Sequence, residues 1–139
     1  MKRLTTEGGQ VTVLVVGLSL VAFAVAGIAI DGTRAFLARR TLQNAADSSA
    51  LAGASEIDRR AYYASGGRVV ALQPAAARDV AAQWLSKRGL AARATIASDE
   101  SGVVVRLSDE VDTGFLGLVG MRYIPVAAEA AAEPLAGTS

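Results

Sequence analysis

The sequence predicts an α+β protein. A long N-terminal transmembrane helix continues into a small domain with one amphipathic helix packed on a three-stranded antiparallel sheet. Three observations lead there. No charged side chain lies between Gln10 and Asp31, no proline interrupts Val11–Ala54, and the later part of the chain alternates short β-branched runs with turn residues.

The run Val11–Ile30 is apolar on every face. Its about 20 residues, at about 1.5 Å rise each, match a bilayer core of roughly 30 Å. Its polar side chains, Thr12 and Ser19, can bond back to the helix's own carbonyls. A backbone in lipid must satisfy itself, so a helix is the expected form. This divides the chain into an N-terminal tail over 1–10, a transmembrane helix over 11–30, an extension of that helix over 31–54 and an α+β domain over 55–139; the sides on which tail and domain lie, cytoplasmic and extracytoplasmic, follow only from the resemblance given below. Lys2 and Arg3 favour an inside N-terminus, while Arg34, Arg39 and Arg40 pull the other way, so charge alone leaves the orientation open. A buried core helix is one rival reading of the run, disfavoured because the rest of the chain is too small to wrap it, and a removable export signal is the other. Ala22-Phe23-Ala24 and Ala24-Val25-Ala26 have the small-x-small form of a cleavage site, yet the apolar run continues past both.

Beyond Asp31 the helical pattern carries on. Ala35, Ala38, Leu42, Ala45, Ser49 and Ala52 recur in steps of three and four and make a stripe of mostly small residues. Such a stripe lets another element approach the backbone closely. It serves either the protein's own domain or a neighbouring subunit. Asp31 and Arg34 are spaced to pair at i, i+3. The uninterrupted helix Val11–Ala54 would be roughly 65 Å long.

Ser55–Gln73, with Tyr62, Tyr63, Ser65, Gly66 and Gly67, reads as a loop. Pro74 suits the first turn of a second helix ending near Arg88, with Gly89 as its stop. Ala77, Val80, Ala81, Trp84 and Leu85 share its apolar face. Ala92–Ala97 and Val103–Leu107 form a hairpin about the turn Ser98–Gly102. Asp112–Gly120 has room for one or two helical turns. Arg122–Glu133 alternates as a third strand, with Ile124, Val126, Ala128, Ala130 and Ala132 on one face and Pro125 suited to an edge or a strand start, while the Ala-rich end is also compatible with helix.

Composition narrows the chemistry. Net charge is +1, aromatic residues make up 5%, and there is no Cys and no His. A nucleic-acid surface is not expected. Without the commonest general base and soft metal ligands, neither a cofactor, a metal site nor a catalytic site is expected. Asp99, Glu100, Asp109, Glu110 and Asp112 lack the spacing and turn glycine of a calcium loop and read as solvated loop charges. Gly114–Gly120 lacks the Lys-Ser/Thr ending of a phosphate cradle. The only lysines, Lys2 and Lys87, are poorly placed for catalysis. The chain is therefore expected not to be an enzyme.

One stretch is more specific than hydropathy demands. Gly8-Gly9-Gln10-Val11-Thr12-Val13-Leu14, the apolar run, Ala29-Ile30-Asp31-Gly32, and above all Leu42-Gln43-Asn44-Ala45-Ala46-Asp47-Ser48-Ser49-Ala50-Leu51-Ala52-Gly53-Ala54 resemble bacterial TadE/TadG-like proteins over about residues 8–54. These are minor pilin-like components of the tight-adherence (Flp) type IV pilus system. The resemblance implies a single-span protein of the plasma membrane, cytoplasmic at its N-terminus, with membrane lipid and other pilin-like or Tad assembly proteins as partners. It also offers Gly9 and Gln10 as the flanks of a prepilin-peptidase cut, the alternative being that Gly8 and Gly9 are simply flexible residues at the membrane face. Pilins carry a Glu five residues into the mature chain; here a cut after Gly9 puts Leu14 there, and a cut after Gly8 puts Val13. That points to an accessory or minor role at a filament's base or tip. Two other readings stay open: a membrane-tethered regulatory or binding domain, and a soluble protein secreted after signal cleavage.

Overall fold

The computed structural model describes residues 7–134. The charges of Lys2 and Arg3 lie outside the described residues. One helix, α1, runs from Glu7 to Ala54 without a break, 48 residues in all. At the usual rise it is about 72 Å long. Its two halves live in different surroundings. From Gly9 to Ala26 every side chain is exposed, whereas Leu42, Ala45, Ala46, Ser49, Ala50, Gly53 and Ala54 are buried. Ser19 Oγ donates to the Val15 carbonyl at 2.8 Å, which hides its hydroxyl within the helix surface.

The segment after α1 corrects the expectation of a loop. A short helix α2, Arg59–Ala64, forms there. Its Asp58 cap accepts from the backbone N–H groups of Arg60 and Ala61 at 2.9 and 3.1 Å. Tyr62 and Tyr63 thus sit on a helix, their rings meeting edge to face at 5.6 Å. An isolated bridge between Ile57 and Leu72 closes the excursion.

Helix α3 spans Pro74–Lys87 and buries Ala77, Ala81 and Leu85. Val80 and Trp84 are half-buried on the same side. The Arg88 guanidinium lies 4.4 Å from the centroid of the Trp84 ring, a cation–π contact. Gly89, at φ +62°, ends the helix in the left-handed conformation that glycine adopts without strain.

Strands β1 (Arg93–Ser98), β2 (Val103–Asp112) and β3 (Tyr123–Ala132) form an antiparallel sheet in the order β1-β2-β3. Strand β2 is longer than expected. Residues Asp109–Asp112 are not a loop but continue the strand beyond the end of β1, which pairs last at Arg93↔Ser108. There β2 pairs only with β3, through Asp109↔Val126 to Asp112↔Tyr123. Asp109, Glu110 and Asp112 stay exposed on this two-stranded ribbon. Pro125 falls on β3, an edge strand, as its missing N–H requires.

The core lies between the sheet and two helices. Val103, Val105 and Leu107 of β2 and Val126, Ala128 and Ala130 of β3 face Leu42, Ala45, Ala46 and Ala50 of α1 and Ala77, Ala81 and Leu85 of α3. Small residues on α1 make close packing possible. A Cβ added at Gly53 would fall 2.7 Å from the Ala77 carbonyl oxygen and 3.2 Å from Val103 Cγ2. On the outer face of the sheet, Arg106 and Glu129 stand opposite each other and form a two-pronged ion pair at 2.8 and 3.1 Å.

Candidate functional site

The feature most open to a partner is α1 itself. Its stripe Ala35, Ala38, Leu42, Ala45, Ser49 and Ala52 faces the protein's own domain. Leu42, Ala45 and Ser49 are buried there, and Ala35, Ala38 and Ala52 are half-buried. The Ser49 hydroxyl donates to the Ala46 carbonyl at 3.1 Å, which satisfies the one buried hydroxyl of the stripe. Of the two uses open to the stripe, packing at home is the one the geometry displays along Leu42–Ser49. Gln43 adds a tie beside it: its amide donates to the Glu129 carbonyl of β3 and to the Asp47 carboxylate, each at 3.0 Å. The face left for neighbours is the opposite one, where Phe36, Leu37 and Leu51 are exposed. Gly9 and Gln10 are exposed on the first turns of α1 and already helical.

A second constellation escaped the sequence reading. Asp31 keeps the attraction of Arg34 one turn along α1, but what holds it is chiefly a long-range clamp. Asp31 is 1% exposed. Its Oδ1 accepts from the Gly114 N–H at 2.9 Å, and its Oδ2 from the N–H groups of Phe115 and Leu116 at 2.8 and 2.7 Å. Those residues open a short 3₁₀ helix, η1 (Leu116–Val119). The expectation of one or two helical turns in Asp112–Gly120 is met by this single short piece.

The loop is folded on itself as well as on α1. Its base closes through Thr113, whose N–H donates to the Arg122 carbonyl at 3.0 Å and whose hydroxyl donates to the Met121 carbonyl. Across it, Leu118 N–H reaches the Phe115 carbonyl, and Met121 N–H reaches the Leu116 carbonyl, at 3.1 and 3.0 Å. Phe115 then lies directly on Gly27, where an added Cβ would be 2.5 Å from its ring. Gly27 is the one buried residue between Gly9 and Ile30. The loop thus forms a collar gripping α1 from the side. Bonds between residues 83 to 85 positions apart leave no local trace in the sequence. The only signal was chemical: a lone carboxylate ending an uncharged run needs donors from somewhere.

Among the described residues no group of three or more acidic side chains is placed to hold a metal ion. Asp99 is held by its own turn: its Oδ1 accepts from the Ser101 hydroxyl and from the N–H groups of Ser101 and Gly102, at 2.5, 2.7 and 2.9 Å. The Ser101 hydroxyl first, then the two N–H groups, keep this carboxyl below its ordinary range.

The arrangement defines a class: a small α+β domain carried on an apolar rod long enough to cross a membrane. The uncovered half of α1 has a mean hydropathy of 2.8 over its most apolar stretch, of which 6% is buried. Residues 9–56 match the family model described as putative Flp pilus-assembly TadE/G-like, so the chain carries a TadE/G-like segment. The match ends two residues beyond the last residue of α1, Ala54. No curated protein and no solved structure matches the chain.

Proposed function

We propose that the protein is a single-span structural component of a Tad/Flp-type pilus, a minor pilin or an assembly accessory, and not an enzyme. The N-terminus is cytoplasmic and the α+β domain extracytoplasmic, with pilin-like or Tad assembly proteins as neighbours. One observation carries this reading: the family-matched segment is a single unbroken helix, bare and apolar in its first half and built into a folded domain in its second. A bare apolar helix of this length is stable in lipid or against other helices. The same helix presents Phe36, Leu37 and Leu51 outward beyond the apolar run, a surface for neighbouring helices outside the membrane.

The test is deletion of the gene, with surface pili counted and the protein tracked by fractionation. Loss of pili, together with recovery of the protein in membrane or pilus fractions, is expected. Normal pili with the protein found nowhere near them would overturn the proposal. N-terminal sequencing of the native protein addresses processing: a chain beginning at Gln10 means cleavage after Gly9, and one beginning near Ile28 means a secreted protein.

A further inference from the structure

We infer that the collar over residues 114–121 is a second membrane contact, which dips its apolar side chains into the boundary of the leaflet from which α1 emerges. This rests on α1 being a membrane span. Depth is the first argument. Phe115 is seated on Gly27, three positions inside the apolar run that ends at Ile30. At the helical rise this is about 4–5 Å below the end of the run. A bilayer placed to cover Val11–Ile30 therefore reaches the collar, because the collar is fixed to the rod at that level by the Asp31 clamp.

Chemistry is the second argument. Outside α1, eight large apolar or aromatic side chains of the described residues are exposed, and five of them fall between Phe115 and Tyr123. Leu118 is 83% exposed and Val119 76%. A hydrophilic surface loop has no reason to concentrate such residues, whereas a loop at a lipid interface does. Tyr123, an aromatic with a polar tip, and Arg122 adjoin the patch in sequence, and the exposed Arg34 reaches Gly114 at its edge, its Nη1 3.8 Å from where a Cβ there would stand. That is the order of side chains suited to a headgroup region.

The third argument is the backbone. Entry into a weakly polar layer penalises unpaired N–H groups. Here the N–H groups of Gly114, Phe115 and Leu116 are taken by Asp31, and those of Thr113, Leu118, Gly120 and Met121 by carbonyls of the same loop.

The chain has no cysteine, so single labels are unambiguous. Leu118→Cys, Glu100→Cys and Val16→Cys variants of the full chain would each carry an environment-sensitive fluorophore. They would be reconstituted in vesicles of phosphatidylcholine and phosphatidylglycerol with a lipid-borne quencher. Glu100 lies in the turn at the opposite end of β2, roughly 30 Å from the collar by strand rise. Labels at 16 and 118 are expected to be quenched several-fold more than the label at 100. Quenching at 16 but not at 118 would overturn the collar proposal and leave the span intact. No quenching at 16 would overturn the span and, with it, the collar. If the unlabelled Leu118→Cys variant forms disulfide-linked dimers and its labelled form escapes lipid quenching, the patch belongs to a second copy and the lipid contact is overturned.

Discussion

Gly53 tests the packing of the rod on its domain. Replacing glycine by alanine within a helix favours the helix by up to about 1 kcal/mol. At Gly32 the new methyl meets nothing within 4 Å. At Gly53 it meets the Ala77 carbonyl oxygen at 2.7 Å, Val103 Cγ2 at 3.2 Å and Ala81 Cβ at 3.3 Å. Ala77, Ala81 and Val103 are all completely buried, and a helix carbonyl cannot swing away, so α3 must shift as a body. Overpacking of this kind costs about 1–3 kcal/mol. The propensity gain is no larger at Gly53, next to last in α1, than at Gly32 in the helix interior, so it does not offset the clash in the comparison. Gly53→Ala is therefore expected to be less stable than Gly32→Ala by about 1–3 kcal/mol. That is a gap of at least about 4 °C in melting temperature for a domain of this size. Trp84, the sole tryptophan, packs against the same core and supplies the fluorescence readout for the full chain in detergent micelles. Equal stability of the two variants would refute the close approach of α1 and α3.

Leu72 is 1% exposed, so Leu72→Ala should destabilise the domain by about 2–5 kcal/mol, read as a lower denaturant midpoint with an unchanged slope. Asp31→Asn keeps one carbonyl oxygen but turns an N–H₂ group toward backbone donors; hydrogen exchange at Gly114, Phe115 and Leu116 should then accelerate while the sheet stays protected. Leu37→Asp, at an exposed position, should leave the melting temperature near wild type yet remove the protein from pili, as measured by quantifying it in sheared filaments. Asp99 is held down by Ser101 and Gly102, and Glu129 by the Arg106 side chain, so both carboxyls bind fewer protons folded than unfolded. Stability from them is present above the ordinary carboxylate range, near about pH 4, and is lost as pH falls through their lowered values. Acid titration followed by Trp84 fluorescence should show that sign, and Ser101→Ala should weaken it.

How much of this could be read from the chain alone follows the range of the interactions. Helix α1 was legible because an uncharged run and the absence of proline are local facts. So was α3, with Pro74 at its start and Gly89 at its stop. The alternation of Val126, Ala128 and Ala130 gave the third strand its buried face. Helix α2 was missed because six residues next to a glycine pair carry too little periodicity, although Asp58 was there to cap it. The far end of β2 was missed because Asp109, Glu110 and Asp112 look like loop charges; Glu110 and Asp112 continue the solvent face that Arg106 already occupies, and Asp109 lies past Leu107, the last buried residue of the strand. The collar was beyond reach, since nothing near Asp31 or Gly27 in sequence names residues 114–116. The stripe on α1 showed that something packs there, but spacing cannot say whether the partner is the same chain or another.

The clamp at Asp31 has a mechanical consequence. Without it, the small domain would grip the rod only from Ala35 to Ala54, and the stretch from Gly27 to Arg34 would be free to lean away from the sheet. Three bonds and an aromatic plug carry the grip about two turns further along the rod and remove that freedom. A torque or pull arriving at the bare end is handed on to the sheet with no slack, and the outward face of the rod keeps one bearing relative to the rest of the molecule.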